Sequence, residues 1–117
     1  MKRVKSIFIM LLAICSLSAQ DITGTWSGAL TIPDGQLRVN FNISAADDGY
    51  TSTLDSPDQE AFGIPVDTTF FKKPELTIKL ASIDLVYVGS LVDDNNIKGT
   101  LTQFGQTFEL NLVKKTE

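Results

Sequence analysis

The sequence has no histidine, and its single cysteine, Cys15, lies within the first twenty residues. The absence of histidine excludes His-based acid–base catalysis, the Ser-His-Asp and Cys-His nucleophile systems and the usual zinc sites. Without Cys15 the chain has no thiol nucleophile and forms no disulfide, so a packed core must stabilise it. The sequence also lacks a phosphate-binding glycine loop and a dinucleotide fingerprint. These absences predict a protein that is not an enzyme and that uses no cofactor.

The first 19 residues have the order of a secretory signal peptide. A basic start at residues 2–5 precedes an apolar run at residues 7–15, and small residues follow. This run is shorter than the about 20 residues that a membrane-spanning helix needs. We predict cleavage after Ala19, with cleavage one residue later as the alternative, and a periplasmic or extracellular location. The bulky Ile14 before Cys15 argues against a lipid anchor.

The remaining chain, residues 20–117, has the length of a single domain. Cleavage would remove three of the ten basic residues and none of the fourteen acidic ones, which leaves a net charge of −7. Such a surface repels phosphate backbones and anionic lipid. The composition therefore predicts no nucleic-acid partner, and the hydrophobic pattern predicts no membrane span.

Apolar and polar residues alternate with a period of two through most of residues 25–114. The pattern is clearest where Leu37, Val39 and Phe41 alternate with polar residues. It is typical of a strand with one buried face and one solvated face. Residues that favour turns, namely Asp, Asn, Gly and Pro, separate the runs. The predicted strands are residues 25–32, 37–44, 50–55, 66–71, 75–80, 83–92, 97–103 and 106–114.

Eight strands joined by tight turns favour an all-β fold, an eight-stranded antiparallel up-and-down barrel, with a β-sandwich as the alternative. Closure into a barrel also removes exposed edge strands. Three glycines inside strands, Gly28, Gly89 and Gly99, each follow a large inward residue by two positions. Glycine inside a strand marks a bend or a close approach, so we expect these three at the corners of the sheet.

Two sets of large side chains are candidate binding residues. The set expected in the barrel interior, as contacts for a small hydrophobic ligand, is Trp26, Phe41, Tyr87 and Phe108. So many bulky groups favour a filled interior over an open pocket. The set expected outside, as a partner surface, is Phe71, Val86 and Val88. An outward apolar patch marks a partner surface in some proteins, whereas scattered surface valines are common in all of them.

The longest connection, residues 55–65, carries three carboxylates. Asp55, Asp58 and Glu60 have the chemistry for a calcium site or for a carboxylate pair in sugar hydrolysis. Their spacing does not match an EF-hand. The favoured interpretation is an acidic, solvated loop whose apolar residues cover one mouth of the barrel, and no metal site is predicted.

The segment Gly24-Thr25-Trp26 resembles the G-x-W signature of the calycin superfamily, which includes the lipocalins. In those barrels the tryptophan begins the first strand and closes one end, and a basic residue from late in the chain packs over it. Lys114 or Lys115 would take that place in this chain. The resemblance implies a barrel that carries a small hydrophobic ligand.

A second resemblance spans essentially the whole mature chain. The segments DITGTWSGAL (21–30), LDSPDQEA (54–61) and GIPV (63–66) resemble the N-terminal β domain of certain exported bacterial α/β hydrolases. In that family the Ser-His-Asp site lies in the hydrolase domain that follows, so no catalytic residue carries over. The resemblance implies an accessory or binding module whose partner is another protein or a hydrolase domain.

Overall fold

The computed structural model describes residues 22–115, which form one antiparallel sheet of ten strands. Two single-turn 3₁₀ helices, Pro57–Gln59 and Ala81–Ile83, follow the third and sixth strands. Within these residues no helical segment has the length and apolarity to cross a membrane. The strands are β1 (Gly24–Ile32), β2 (Gly35–Ala46), β3 (Gly49–Ser56), β4 (Ala61–Pro65), β5 (Thr68–Lys72), β6 (Glu75–Leu80), β7 (Leu85–Asp93), β8 (Asn96–Gln103), β9 (Gln106–Glu109) and β10 (Leu112–Lys114).

The sheet is curled and barrel-like, which confirms the prediction of an all-β antiparallel fold. Hydrogen-bonded neighbours follow the order β4-β3-β2-β1-β10-β8-β7-β6-β5, and β9 pairs with β8. Most neighbours in this order are also neighbours in the sequence, because tight turns join them. A single curled sheet is not the sandwich of two packed sheets that was the alternative prediction.

The strand count differs from the predicted eight because the chain is interrupted at two places. The predicted loop at residues 55–65 contains β4, and only residues 66–67 separate it from β5. β4 pairs with β3, whereas β5 pairs with β6. The predicted last strand, residues 106–114, is likewise divided at residues 110–111 into β9 and β10. At the first place the chain changes its hydrogen-bonding partner, and at the second it keeps β8 and gains β1, neither of which a pattern of alternating residues reveals.

The core lies inside the curl of the sheet and contains three fully buried aromatic rings. Trp26, Phe41 and Tyr87 have no exposed surface, and the ring centroids of Phe41 and Tyr87 are 5.5 Å apart. Burial of a side chain of this size contributes roughly 2–3 kcal/mol. Leucine and isoleucine side chains from the remaining long strands pack around these rings. These three buried aromatic side chains therefore fill the interior, as predicted.

The Tyr87 side chain contacts the chain between β9 and β10. Its buried hydroxyl donates a hydrogen bond of 2.9 Å to the backbone carbonyl of Leu110. Burial raises the pKa of this hydroxyl above its ordinary value, so the group remains a donor. A Cβ atom on Gly89 or Gly99 would lie 2.7 or 2.6 Å from the hydroxyl oxygen. Because these two glycines oppose each other across β7 and β8, the tyrosine can reach the interrupted strand.

The same interruption needs a glycine on β1. The Leu110 N–H donates to the Gly99 carbonyl at 2.9 Å, and the Gly99 N–H donates to the Asn111 side chain at 3.3 Å. The Asn111 side-chain oxygen thus replaces a backbone acceptor. The backbone carbonyl oxygen of Asn111 approaches Gly28, where any Cβ would collide with it. The three glycines expected at bends therefore act by allowing close approach.

We expect Gly99→Ala to destabilise the fold by about 1–3 kcal/mol, because the new methyl group meets the Tyr87 hydroxyl and the Val88 carbonyl. Equilibrium urea unfolding measures the change. Gly49→Ala is the matched control, since no atom lies within 4 Å of the position of its Cβ. Equal stabilities for the two variants would contradict this account of the strand interruption.

A candidate ligand pocket at the mouth of the barrel

One end of the barrel, which we call the mouth, is formed by the connections at residues 33–34, 57–60, 81–84 and 104–105. Residues that flank all four connections line one cavity with a volume of about 140 Å³, which we call the mouth cavity. This shared lining places the four connections at the same end. The lining residues are Leu30, Leu37, Val39, Leu54, Ser56, Gln59, Ile83, Leu85, Leu101 and Gln103.

Three polar side chains interrupt the apolar lining of the mouth cavity. The buried Ser56 hydroxyl donates to the Gln59 side-chain oxygen at 2.6 Å, across the first 3₁₀ helix. The Gln103 amide nitrogen donates to the Ile83 carbonyl at 3.1 Å and so links two connections of the mouth. Among residues 22–115, each amide has one further polar atom without a protein partner. The cavity therefore offers a ligand an apolar floor together with a hydrogen-bond donor and an acceptor.

The interior residues expected to contact a ligand lie elsewhere. Trp26, Phe41 and Tyr87 are packed in the core and do not line the mouth cavity. Phe108 is half-buried and lies beside a separate cleft between β1 and β9. Large rings fill the middle of the barrel, whereas the cavity forms where shorter leucine and valine side chains meet at strand ends. The sequence signal for the mouth cavity is weak, because an amide side chain next to a turn, such as Gln103, is common in β proteins.

The opposite end of the barrel is closed by Trp26. Its indole N–H donates to the Ile22 carbonyl at 2.9 Å, and the Lys114 Nζ lies 5.7 Å from the ring centroid, in cation–π geometry. Lys114 pairs with Trp26 across β1 and β10. Gly24 leaves space for it, because a Cβ there would lie 2.8 Å from the lysine Cε. Of the two lysines expected to cover the ring, Lys114 does so.

Charge is distributed unevenly between the two ends. Asp34, Glu60 and Asp84 are exposed at the mouth, and none of them forms an ion pair with another residue in 22–115. Arg38 is already paired with Asp58 at 2.9 Å. Four of the seven basic residues in the described chain lie toward the other end, namely Lys72, Lys73, Lys98 and Lys114. The mouth therefore disfavours an anionic ligand.

The outward apolar patch differs from the prediction at one residue. Phe71 was expected outside, but it is half-buried against the core, because β5 pairs it with the buried Leu76. This register turns the neighbouring Phe70 outward, where it is 57 % exposed. Val88 is 37 % exposed on the same outer wall, and Val86 is half-buried.

The carboxylate of Asp55 links three strands on the outer face of the barrel. It accepts hydrogen bonds from the Asn42 side chain at 3.0 Å and from the Gly63 N–H at 2.8 Å. Partial burial opposes ionisation of Asp55, but these hydrogen bonds, a further one from Asn40 and the positive charge of Lys115 together hold its pKa below the ordinary value. Asp55 thus holds β4 against β3 and β2.

The other two carboxylates of this segment have separate roles. Asp58 binds the side chain and the backbone N–H of Arg38, and the side-chain hydrogen bond is the main cause that lowers the pKa of Asp58. Glu60 ends the first 3₁₀ helix in a left-handed conformation, with a φ of 55°. Within residues 22–115, no group of three His, Cys, Asp or Glu side chains is arranged to hold a metal ion.

Comparisons of the chain with protein-family models, with curated proteins and with solved structures give no match. The basis for assigning a function is therefore the mouth cavity, its amide groups and the charge around it.

The lowered pKa of Asp55 predicts that the free energy of unfolding depends on pH. Because its pKa is lowered in the folded state, its ionised form stabilises the fold above about pH 4, and this contribution is lost as the pH falls through the folded-state pKa. We expect Asp55→Asn to flatten that part of the profile of unfolding free energy against pH. Asn42→Ala, which removes a donor but keeps the carboxylate, should move the loss to higher pH. A profile for Asp55→Asn that parallels the wild type would contradict the assignment.

Proposed function

We propose that this chain is an exported, non-catalytic β-barrel module that binds a small, uncharged apolar molecule at its mouth. The observation that carries the proposal is the mouth cavity, with its apolar floor and its two amides. Ligand sites in proteins are concave, mostly apolar and equipped with a few placed polar groups, and this cavity has each of those properties.

The volume of the cavity limits the size of the ligand. An apolar cavity of about 150 Å³ is known to accept benzene, so about 140 Å³ suits one ring or a chain of about six carbons. Larger lipids do not fit, because Phe41 and Tyr87 occupy the centre of the barrel. A hydroxyl group on the ligand would meet the amides of Gln59 and Gln103.

The absence of histidine supports a role without catalysis, as do the separate protein partners of Asp55 and Asp58. Export is supported by the signal-like pattern of residues 1–19, which lie outside the described residues.

A calycin-like barrel is the finer fold that we propose. If β4 and β5 are counted as one strand interrupted at residues 66–67, and β9 and β10 as one strand interrupted at residues 110–111, the chain has eight successive antiparallel strands. The contact between the side chains of Ser52 and Thr69, at 2.6 Å, supports closure between β3 and β5. The position of Lys114 over Trp26 supports the same assignment.

Methyl-resolved NMR titration of the purified protein with 1-hexanol tests the binding proposal. We expect saturable shifts at the methyl groups of Leu54 and Leu101, with a Kd of about 1 mM, and no shift at Leu112. Leu30→Trp should abolish binding because it fills the cavity, whereas Leu91→Trp at the other end of β7 should not.

A parallel titration with hexanoate tests whether a negative charge on the ligand weakens binding. Carboxylates at the mouth repel it, so we expect it to bind about three- to tenfold more weakly than hexanol at low salt, with the difference reduced in 0.5 M NaCl. Absence of any saturable shift with hexanol would remove the proposed function.

A protein partner on the outer wall is the second candidate. Phe70 and Val88 are exposed in the same row, on either side of Thr77. We expect the double variant Phe70→Lys and Val88→Lys to lose co-purification with a co-expressed candidate hydrolase that binds the wild type. Identical elution and identical co-purified proteins for wild type and double variant would exclude this surface.

A further inference from the structure

The turn between β8 and β9 holds an aromatic residue in an unfavourable backbone conformation. Gln103 and Gln106 are the closing pair of a two-residue loop, and its residues Phe104 and Gly105 have φ values of 48° and 79°. Positive φ at both positions is typical of a type I′ turn, which prefers Asn or Asp before glycine. A bulky side chain at positive φ is strained. The local backbone therefore does not account for a phenylalanine at position 104.

Packing does not account for it either. The Phe104 side chain is 70 % exposed and is not part of the core. Exposed apolar residues are common on proteins, but this one adds the cost of its exposure to the cost of its backbone conformation. Residues that break two local preferences at once are expected where function, not stability, selects the side chain.

The position of Phe104 suggests that function. It directly follows Gln103, which lines the mouth cavity and is hydrogen-bonded to the neighbouring connection at Ile83. That bond holds the base of the turn at the rim. An exposed ring at the rim can cover the part of a ligand that extends out of a cavity of only about 140 Å³.

We propose that Phe104 is a contact residue that covers the portion of the ligand projecting from the mouth cavity, and that it determines how long a ligand this chain can hold. The inference rests on the proposed function, since it assumes that the mouth cavity binds an apolar molecule. It adds a residue that lies outside the cavity lining and a ligand class, namely chains longer than the cavity itself accepts.

The test compares wild type with Phe104→Asn for binding of 1-butanol, 1-hexanol and 1-octanol, measured by the same methyl NMR titration. Each buried methylene raises affinity about fourfold, so wild-type affinity should increase through the whole series. In Phe104→Asn the increase should end at about six carbons, so that 1-octanol binds about tenfold more weakly than to wild type while 1-butanol is unchanged.

The same variant should be more stable than wild type, with a thermal midpoint raised by about 4 to 8 °C, because asparagine suits the turn. Gain of stability with loss of long-chain binding separates this role from simple damage to the fold. Val92→Thr, which removes an exposed apolar side chain at the end of β7 away from the mouth, is the control and should leave the series unchanged.

Equal affinities of wild type and Phe104→Asn for 1-octanol would overturn the inference and leave the proposed function intact. A loss of the same size for all three alcohols would also overturn it, because that result would indicate a disturbed cavity. If wild type binds none of the alcohols, the proposed function fails, and the inference fails with it.

Discussion

The hydrogen bond from the Tyr87 hydroxyl to the Leu110 carbonyl is the interaction on which the rest of the barrel depends. It fixes the chain at residues 110–111, between β9 and β10. Beyond that point β10 lies between β8 and β1 and pairs with both. Only with β10 in this place does Lys114 reach the ring of Trp26. A buried hydroxyl needs a partner, and a buried carbonyl at an interrupted ladder needs one too, so each satisfies the other. Gly89 and Gly99 are required by the same contact, because a Cβ on either would lie 2.7 Å or less from the hydroxyl oxygen.

This arrangement gives the two ends of the barrel different properties. At one end the tryptophan is covered by a lysine and sealed by its own hydrogen bond to the chain that enters β1. At the other end no aromatic side chain of residues 22–115 lines the axis, and leucines with two amides leave a small cavity. The basic residues of this range lie mainly toward the sealed end, and exposed carboxylates lie at the mouth. The two ends of the barrel thus differ in both shape and charge.

Sequence patterns predicted the elements whose residues alternate regularly and whose turns carry Gly, Asn, Asp or Pro. They failed where a strand is irregular. β4 was assigned to a loop because its pairing with β3 contains a bulge between Leu54 and Ser56, which breaks the alternation. Phe71 was placed outside, but the alternation in β5 does not decide between the adjacent Phe70 and Phe71, and only the register with β6 places Phe71 beside the buried Leu76. The mouth cavity could not be predicted at all, since its lining comes from five separated segments of the chain.

The amino-acid sequence by itself determined the antiparallel all-β class and the positions of the turns, because both depend on residue types and on local backbone preferences. It also singled out Trp26 and a late lysine as partners. Only the tertiary structure decided where strands change partners, which rings fill the centre and which end remains open. Those properties depend on the register between strands distant in sequence and on the volume that their side chains leave, and neither quantity is contained in any local segment.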